Sequence, residues 1–299
     1  MAREPYAYLK LLFSNNLLLN LDEYDLSHVQ THGLVCRFLG MRLSSTFQPI
    51  FKADGTVLGR EALLRSVVHE QFELIPQAAF DEAERAGRLV QFDRLVRTIH
   101  LLNHDRSFPE HELLFLNVHP HLLTSVSDHG RTFEQILHYY SVPTSQVVIE
   151  IKESAVKDMA RLDEAVSNYR KLGYKIAVDD FGLAHASVAR LAGASHAYED
   201  LVADTSNDEL ARVLKLRPDI VKFDGGVLRN PLATGVIYAL VNTLHQSGVQ
   251  VAIEGIESAT QLAIAHNAGA DLFQGDYLAS PEFATQADVR YLRAERLAA

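Results

Sequence analysis

Residues 147–182 read VVIEIKESAVKDMARLDEAVSNYRKLGYKIAVDDFG. The apolar run Val147–Ile151 predicts a short buried strand. Asp158–Leu172 predicts a helix, and Gly173 suits its C-terminal cap. Lys175–Val178 predicts a second strand, ending in Asp179–Asp180. Strand, helix and strand in this order make one parallel βα unit. The same texture continues on both sides. Upstream, Thr46–Phe51 and Val57–Leu64 predict strands joined by the turn signal Asp54–Gly55, a hairpin pattern. Helices are expected over Pro76–Ala86 and Leu89–Leu102, a strand over Leu113–Val118 and a helix over Thr132–Tyr140. Downstream, strands at Ile220–Phe223, Val249–Ile253 and Asp271–Phe273 alternate with helices over Leu232–Gln246 and Ala259–Asn267. Seven or eight such units in about 250 residues point to a (β/α)8 barrel of the TIM type, made imperfect by its opening hairpin. A doubly wound sheet is the alternative. Against it, no Gly-x-Gly-x-x-Gly follows the first strand and no Gly-x4-Gly-Lys-Ser/Thr occurs.

The chain has 299 residues, enough for one large barrel and a modest remainder. The barrel domain is expected over residues 46–299. Residues 1–45 are expected to form a mostly helical extension, with one apolar-faced helix over Tyr6–Leu19 and a second over His28–Leu39. Such an extension either packs on the barrel or offers a surface to a partner. With 47% hydrophobic and 22% charged residues, the composition is globular. Against 28 Lys and Arg stand 38 Asp and Glu, for a net charge of −10. That argues against a binder of nucleic acid polymers that works through bulk positive charge. Cys36 is the single cysteine, so an intrachain disulfide and a thiolate-rich metal site are excluded. No uncharged apolar run has the length of a membrane span. Leu11–Phe13 and Leu17–Leu19 are interrupted by Ser14, Asn15 and Asn16 and preceded by Glu4, which reads as packing surface, not a signal peptide. The cytoplasm is the expected compartment.

A barrel of this kind carries its functional groups at the C-terminal ends of its strands. Polar residues collected there are Glu61, Asn117, Glu150, Asp179, Asp180, Lys222, Asp224, Glu254, Glu257 and Gln274. Any one alone reads as a helix cap or a solvated group; their recurrence around the rim is the signal. Oxygen donors of this sort suit Mg2+ or Mn2+. Glu61, Asn117, Glu150 and Asp179 can surround one ion, and Asp179 can bridge to a second ion held also by Asp180. Two such ions about 4 Å apart can serve a phosphoryl oxygen and an attacking hydroxide. Lys222 has two jobs open to it: orienting or deprotonating the water, or contacting phosphate as a charge. Glycoside hydrolysis is the alternative chemistry of a carboxylate-rich barrel. It employs two carboxylates but leaves Asn117, Lys222 and the adjacent Asp pair idle, and the chain has no Trp for a sugar platform.

Arg60-Glu61-Ala62-Leu63-Leu64-Arg65 resembles the signature of EAL domains, the bacterial cyclic-di-GMP phosphodiesterase family. Phe47-Gln48-Pro49-Ile50 resembles that family's first strand, and Leu116-Asn117-Val118 its Asn-bearing strand. Glu150-Ile151-Lys152-Glu153 resembles its Glu-x-Thr-Glu segment, and Asp179-Asp180-Phe181-Gly182 its Asp-Asp-Phe-Gly motif. Lys222-Phe223-Asp224, Glu254-Gly255-Ile256-Glu257 and Gln274-Gly275 complete an ordered set from Phe47 to Pro281. The resemblance implies a modified TIM barrel whose first strand runs antiparallel. It implies hydrolysis of cyclic di-GMP to linear pGpG by a metal-bound water, and a homodimer. By the same resemblance Glu61, Asn117, Glu150 and Asp179 match metal ligands, and Asp180 matches a ligand of a second metal. Lys222 matches the base or water-positioning lysine, Glu254 a residue needed at the metal centre, and Gln274 one that supports the water. Arg65 matches a phosphate contact, and Gln48 and Asp224 match substrate-side polar positions. Glu153, Ser187 and Glu257 match positions that support the loop after the Asp pair.

The departures are specific. The loop after Asp-Asp-Phe-Gly reads Leu183-Ala184-His185-Ala186-Ser187-Val188, so Ala184 and His185 replace a glycine and an aromatic residue, and only Ser187 keeps its type. Lys152 stands where the family has Thr, and Ser66 where a Trp often follows the signature. Between Asp180 and Lys222 the chain is longer than the family pattern by an insertion around residues 193–212. This insertion, or residues 1–45, offers a place for a regulatory protein partner. The expected activity is metal-dependent phosphodiesterase. A cyclic-di-GMP receptor without turnover and a protein-interaction module of the same fold are the alternatives.

Overall fold

The computed structural model describes residues 14, 21–109, 111–126, 130–152, 158–181, 206–229 and 234–284. The first five strands are β1 (Ser27–Val29), β2 (Gly33–Phe38), β3 (Met41–Lys52), β4 (Val57–Val68) and β5 (Phe72–Leu74). Helices α1 (Pro76–Arg85) and α2 (Leu89–Ser107) follow, then β6 (Leu113–Asn117), α3 (Pro120–Ser125) and α4 (Arg131–Tyr139). The alternation continues with β7 (Val147–Ile151), α5 (Met159–Lys171), β8 (Lys175–Phe181), α6 (Ser206–Lys215) and β9 (Ile220–Phe223). It closes with α7 (Thr234–Gln246), β10 (Gln250–Ile253), α8 (Ala259–Asn267), β11 (Leu272–Phe273) and β12 (Glu282–Phe283).

The central unit shows why the local sequence folds this way. Strand β7 is buried along its whole length, as a parallel strand covered on both faces should be. The Asp158 side chain caps α5 by accepting the Arg161 N–H, and Arg170 and Lys171 sit at the negative end of its dipole. Leu162, Ala165, Val166 and Tyr169 face the sheet. Gly173 leaves the helix at φ +91° and β8 returns parallel to β7, with Glu150 opposite Ala177.

Strands β3, β4 and β6 to β11 close into an eight-stranded barrel. All neighbours pair in parallel except β3, which is antiparallel to both β4 and β11. The barrel is therefore a TIM barrel with an inverted first strand, as the hairpin at Asp54–Gly55 implies. Asp54 fixes that turn by accepting from the Thr56 N–H and hydroxyl, and Gly55 supplies φ +81°. Inside the barrel, Ile50, Phe115, Val148, Ala177, Ile220, Ala252 and Leu272 form one apolar plug, each from a different strand. Strand side chains alternate with a period of two. The residues two positions toward the mouth are Gln48, Asn117, Glu150, Asp179, Lys222, Glu254 and Gln274, with Glu61 of β4 paired opposite Gln48. The fold thus places a polar layer directly on an apolar floor.

The expected helix over His28–Leu39 is corrected: β1 and β2 form a hairpin there, turning through Gly33 at φ +70°. Leu34, Val35, Cys36 and Phe38 are buried, and β2 pairs with β3 through Cys36 opposite Leu43. Asn103 of α2 pins this hairpin by accepting from Leu34 N at 2.7 Å and donating to Leu34 O at 3.0 Å. A Cβ at Gly33 would come within 2.5 Å of that Asn103 oxygen. Within residues 21–45, Leu21–Tyr24 is a short 3-10 helix and the strands β1, β2 and the first part of β3 follow, so residue 45 lies within β3. The helix expected over Tyr6–Leu19 lies, except for Ser14, outside the described residues. Residues 193–205 of the expected insertion also lie outside them; its remainder contributes to α6. Among the described residues no helix is long and apolar enough to cross a membrane.

Candidate active site

Lys222 is fully buried at the centre of the polar layer. Its ammonium donates to Glu61 Oε2 at 3.0 Å and to Glu150 Oε1 at 2.7 Å, and lies 2.9 Å from Glu254 Oε2 and 3.6 Å from Asp179 Oδ1. Asn117 bridges two of these carboxylates, donating to Glu61 Oε1 at 2.9 Å and Glu150 Oε2 at 3.1 Å. Gln274 donates to Glu61 Oε2 at 2.9 Å and to Gln48 Oε1 at 3.1 Å. Gln48 is held in turn by Asp276 and the Ala279 carbonyl. The Gln274–Gly275 pair has a backbone reason. A Cβ at Gly275 would stand 2.2 Å from Ile256 N, so only glycine lets the end of β11 pack on the loop after β10.

Adjacent strand residues normally point to opposite faces, yet Asp179 and Asp180 converge. Asp180 adopts φ +57°, and the β8–β9 register breaks between Val178 and Phe181. This bulge brings carboxylate oxygens of Asp179, Asp180 and Glu254 within 4.8 Å of one another. Lys152, just beyond β7, reaches across them. Its ammonium is 2.5 Å from Asp180 Oδ2 and 3.8 Å from Asp179 Oδ2.

Four buried or half-buried carboxylates around one ammonium leave an excess of negative charge. The consequences follow from burial and repulsion. Burial, reinforced by the charge of Glu61, pushes the Glu150 carboxyl well above its ordinary range despite the attraction of Lys222. Burial likewise pushes Glu254 up to about 8, against the pull of Lys222. For Lys222, burial works against the charged form, but Glu150, Glu254, Glu61 and Asp179 together outweigh it and hold the ammonium well above its ordinary range. At Lys152 burial is likewise outweighed, by its hydrogen bond to Asp180 and the charge of Asp179.

The donor set fits a hard divalent cation. Its members are oxygens, they carry surplus negative charge, and the buried Asp179 Oδ1 accepts no hydrogen bond. Glu61, Asn117, Asp179 and Glu254 of the polar layer, with Lys152 and Asp180, line a cavity of about 500 Å3. Its walls include Pro76, Gln77, Phe80, Val96, His119 and Pro120, none of which the strand-end pattern selects. Phe80 and His119 stack at 5.4 Å in that wall. His119 follows the end of β6 by two residues, whereas Phe80 lies within α1, where no strand-end position marks it.

The structure brings together Glu61, Asn117, Glu150, Asp179, Lys222, Glu254 and Gln274, with Gln48 behind them and Asp180 at the rim. The other expected residues are not in contact with this cluster in the described contacts. Arg65 donates to Thr46 Oγ1 at 3.0 Å and pairs with Glu73. The Asp224 carboxylate accepts from Gly226 N and caps its own turn. Glu257 is exposed. Glu153, Ser187 and the loop 183–188 lie outside the described residues.

A family model described as EAL domain matches residues 37–195 and 202–281. The chain is 28% identical over 245 residues to the EAL-domain containing protein YkuI of Bacillus subtilis, covering 79% of this chain and 54% of YkuI. It is 26% identical over 246 residues to the cyclic di-GMP phosphodiesterase PdeF of Escherichia coli, covering 79% of this chain and 29% of PdeF. It therefore spans about half of the one relative and under a third of the other. The crystal structure of YkuI in complex with substrate c-di-GMP and calcium superposes with a TM-score of 0.63 at 25% identity, covering 86% of this chain and 60% of that one.

Proposed function

The chain belongs to the EAL domain family, and from that premise we propose that it is a metal-dependent phosphodiesterase that hydrolyses cyclic di-GMP to linear pGpG. The observation that carries this reading is the ring of Glu61, Asn117, Glu150, Asp179, Lys222, Glu254 and Gln274, of which Glu61, Asn117, Asp179 and Glu254 line a cavity open to a ligand. PdeF supports it by its activity, and YkuI by its bound c-di-GMP. Glu61, Asn117, Glu150 and Asp179 would hold one Mg2+ or Mn2+, and Asp179 with Asp180 a second. Such ions lower the pKa of a water and offset charge on a phosphoryl group.

The remaining steps belong to the chain. Lys222, held protonated by four carboxylates, orients and supplies charge; it is not poised to take a proton. Glu254, 2.9 Å from the Lys222 ammonium and within 4.8 Å of Asp179 and Asp180, adds a further carboxylate to the metal side of the ring. Gln274 fixes Glu61 and Gln48, and so the side of the ring nearest β3. Arg65 and Asp224 are proposed substrate contacts at the mouth. The protein is further proposed to act in the cytoplasm as a homodimer, with residues 1–45 or 193–212 open to a regulatory partner.

The test is incubation with cyclic di-GMP and Mg2+ or Mn2+, with products resolved by chromatography and mass. Linear pGpG is the expected product. Tight binding without product would favour the receptor reading, which one observation supports: Lys152 already sits on Asp180. No binding would leave only the interaction module.

A second expectation follows from Glu254. To serve as a ligand or charged neighbour of an ion, a carboxyl raised to about 8 must give up its proton. Calorimetric Mn2+ titrations in buffers of different ionisation heat should show net proton release near pH 6–7, fading above about pH 9. Release that does not fall at high pH would place the shifted group elsewhere.

A further inference from the structure

We propose that the Lys152 ammonium is a built-in cation at the second metal position, so that this chain holds one divalent ion tightly and a second only weakly. The inference rests on the metal-dependent reading above and concerns how many ions that site takes.

Lys152 follows Glu150 by two residues, so it continues the inward face of β7 beyond the strand end. Its ammonium meets Asp180 Oδ2 at 2.5 Å and lies 3.8 Å from Asp179 Oδ2. These are oxygens that an ion bridged by Asp179 and Asp180 would use. The bulge at Asp180, which breaks strand alternation to present that carboxylate, serves the ammonium in this structure. The other lysine of the site, Lys222, is 0% exposed and locked among four carboxylates. Lys152 differs from it in kind. Its side chain is 46% exposed, so it reaches the carboxylates from solvent. An ion on the same oxygens would stand within about 4 Å of a positive charge, and the two cannot share the position without strong repulsion. The inner position also has an ammonium, that of Lys222, but there four carboxylates face the one charge, whereas Lys152 meets only Asp179 and Asp180. Asp179 Oδ1, on the ring side of its carboxylate, accepts no hydrogen bond and is 3.6 Å from Lys222. A lysine on the outer oxygens therefore biases occupancy toward one ion in the ring.

The experiment is Mn2+ titration of the full chain, with free ion read by electron paramagnetic resonance, for the wild type, Lys152→Met and Lys152→Arg. Methionine keeps much of the length without the charge, and arginine keeps the charge. One tight ion is expected in the wild type and in Lys152→Arg. Two are expected in Lys152→Met, the second about 10- to 100-fold tighter than in the wild type. Two equally tight ions in the wild type, or an unchanged count in Lys152→Met, would overturn the proposal while leaving metal dependence standing. Absence of Mn2+ binding in all three proteins would overturn both. The readout is stoichiometry, which a loss of general packing at an exposed side chain would not raise.

Discussion

Lys222→Met is expected to lower the stability of the metal-free protein by about 3–5 kcal/mol, the usual cost of removing one partner from a buried ion pair. Methionine fills a similar volume, so the loss reports charge and not a cavity. Glu150 has no exposed side-chain surface and Glu61 has little, and both depend on this ammonium. Asn117 would still donate to both, which keeps the ring in place but leaves its charge uncompensated. The penalty should grow with pH. A carboxyl whose folded pKa is raised contributes stability that is present below its unfolded value and lost as pH rises through the folded one. For Glu254 that window runs from the ordinary carboxylate range to about 8 in the wild type, and higher once Lys222 is gone. Urea denaturation from about pH 5 to pH 9 should therefore show wild type and variant diverging as the buffer becomes more basic. Divalent metal should restore part of the loss by returning positive charge to the ring. A pH-independent penalty would mean that packing, not charge, is what Lys222 contributes.

The barrel is legible because its interior repeats one rule on the parallel strands β6 to β11. An apolar residue, one outward residue, then a polar residue at the mouth gives Phe115 and Asn117, Val148 and Glu150, Ala177 and Asp179, Ile220 and Lys222. Polar residues at strand ends therefore mark the ring in the sequence itself. The hairpin β1–β2 was not legible. His28–Leu39 carries its apolar residues in the consecutive run Leu34–Cys36, which local periodicity cannot assign between a helix and a buried strand. Pairing with β3 and the grip of Asn103, some seventy residues away, decide it. Lys152 was visible as a departure, but its contact with Asp180 depends on a bulge that no periodic pattern encodes. Strand alternation alone would have sent Asp180 away from the mouth. Asp224 and Glu257 also lie just beyond strand ends, yet one caps its own turn and the other faces solvent. A strand-end position marks where a functional group can sit, and only long-range geometry selects those that meet.

Glu61→Ala is expected to lower turnover by more than about 100-fold, because even residues that only support a metal ligand commonly cost 10- to 100-fold. The fold should survive. Each neighbour that loses Glu61 keeps another partner: Lys222 retains Glu150 and Glu254, Asn117 retains Glu150, and Gln274 retains Gln48. Removing one carboxylate also relieves the repulsion that raises Glu150, for which the charge of Glu61 is the leading cause after burial. The metal-free variant should therefore unfold at a urea concentration close to that of the wild type, while its Mn2+ affinity falls. This opposes the Lys222→Met result, where stability falls because charge balance worsens. The pair separates two origins of the ring's importance. If the ring is a structural ion-pair cluster, both substitutions should destabilise the metal-free chain. If it is a site that gives up stability to hold a cation, removing the lysine harms the fold and removing the glutamate harms only function. Paired urea curves with and without Mn2+, beside pGpG formation rates, distinguish the two. A Glu61→Ala chain that still forms pGpG at the wild-type rate would show that the ring is not where cyclic di-GMP is opened.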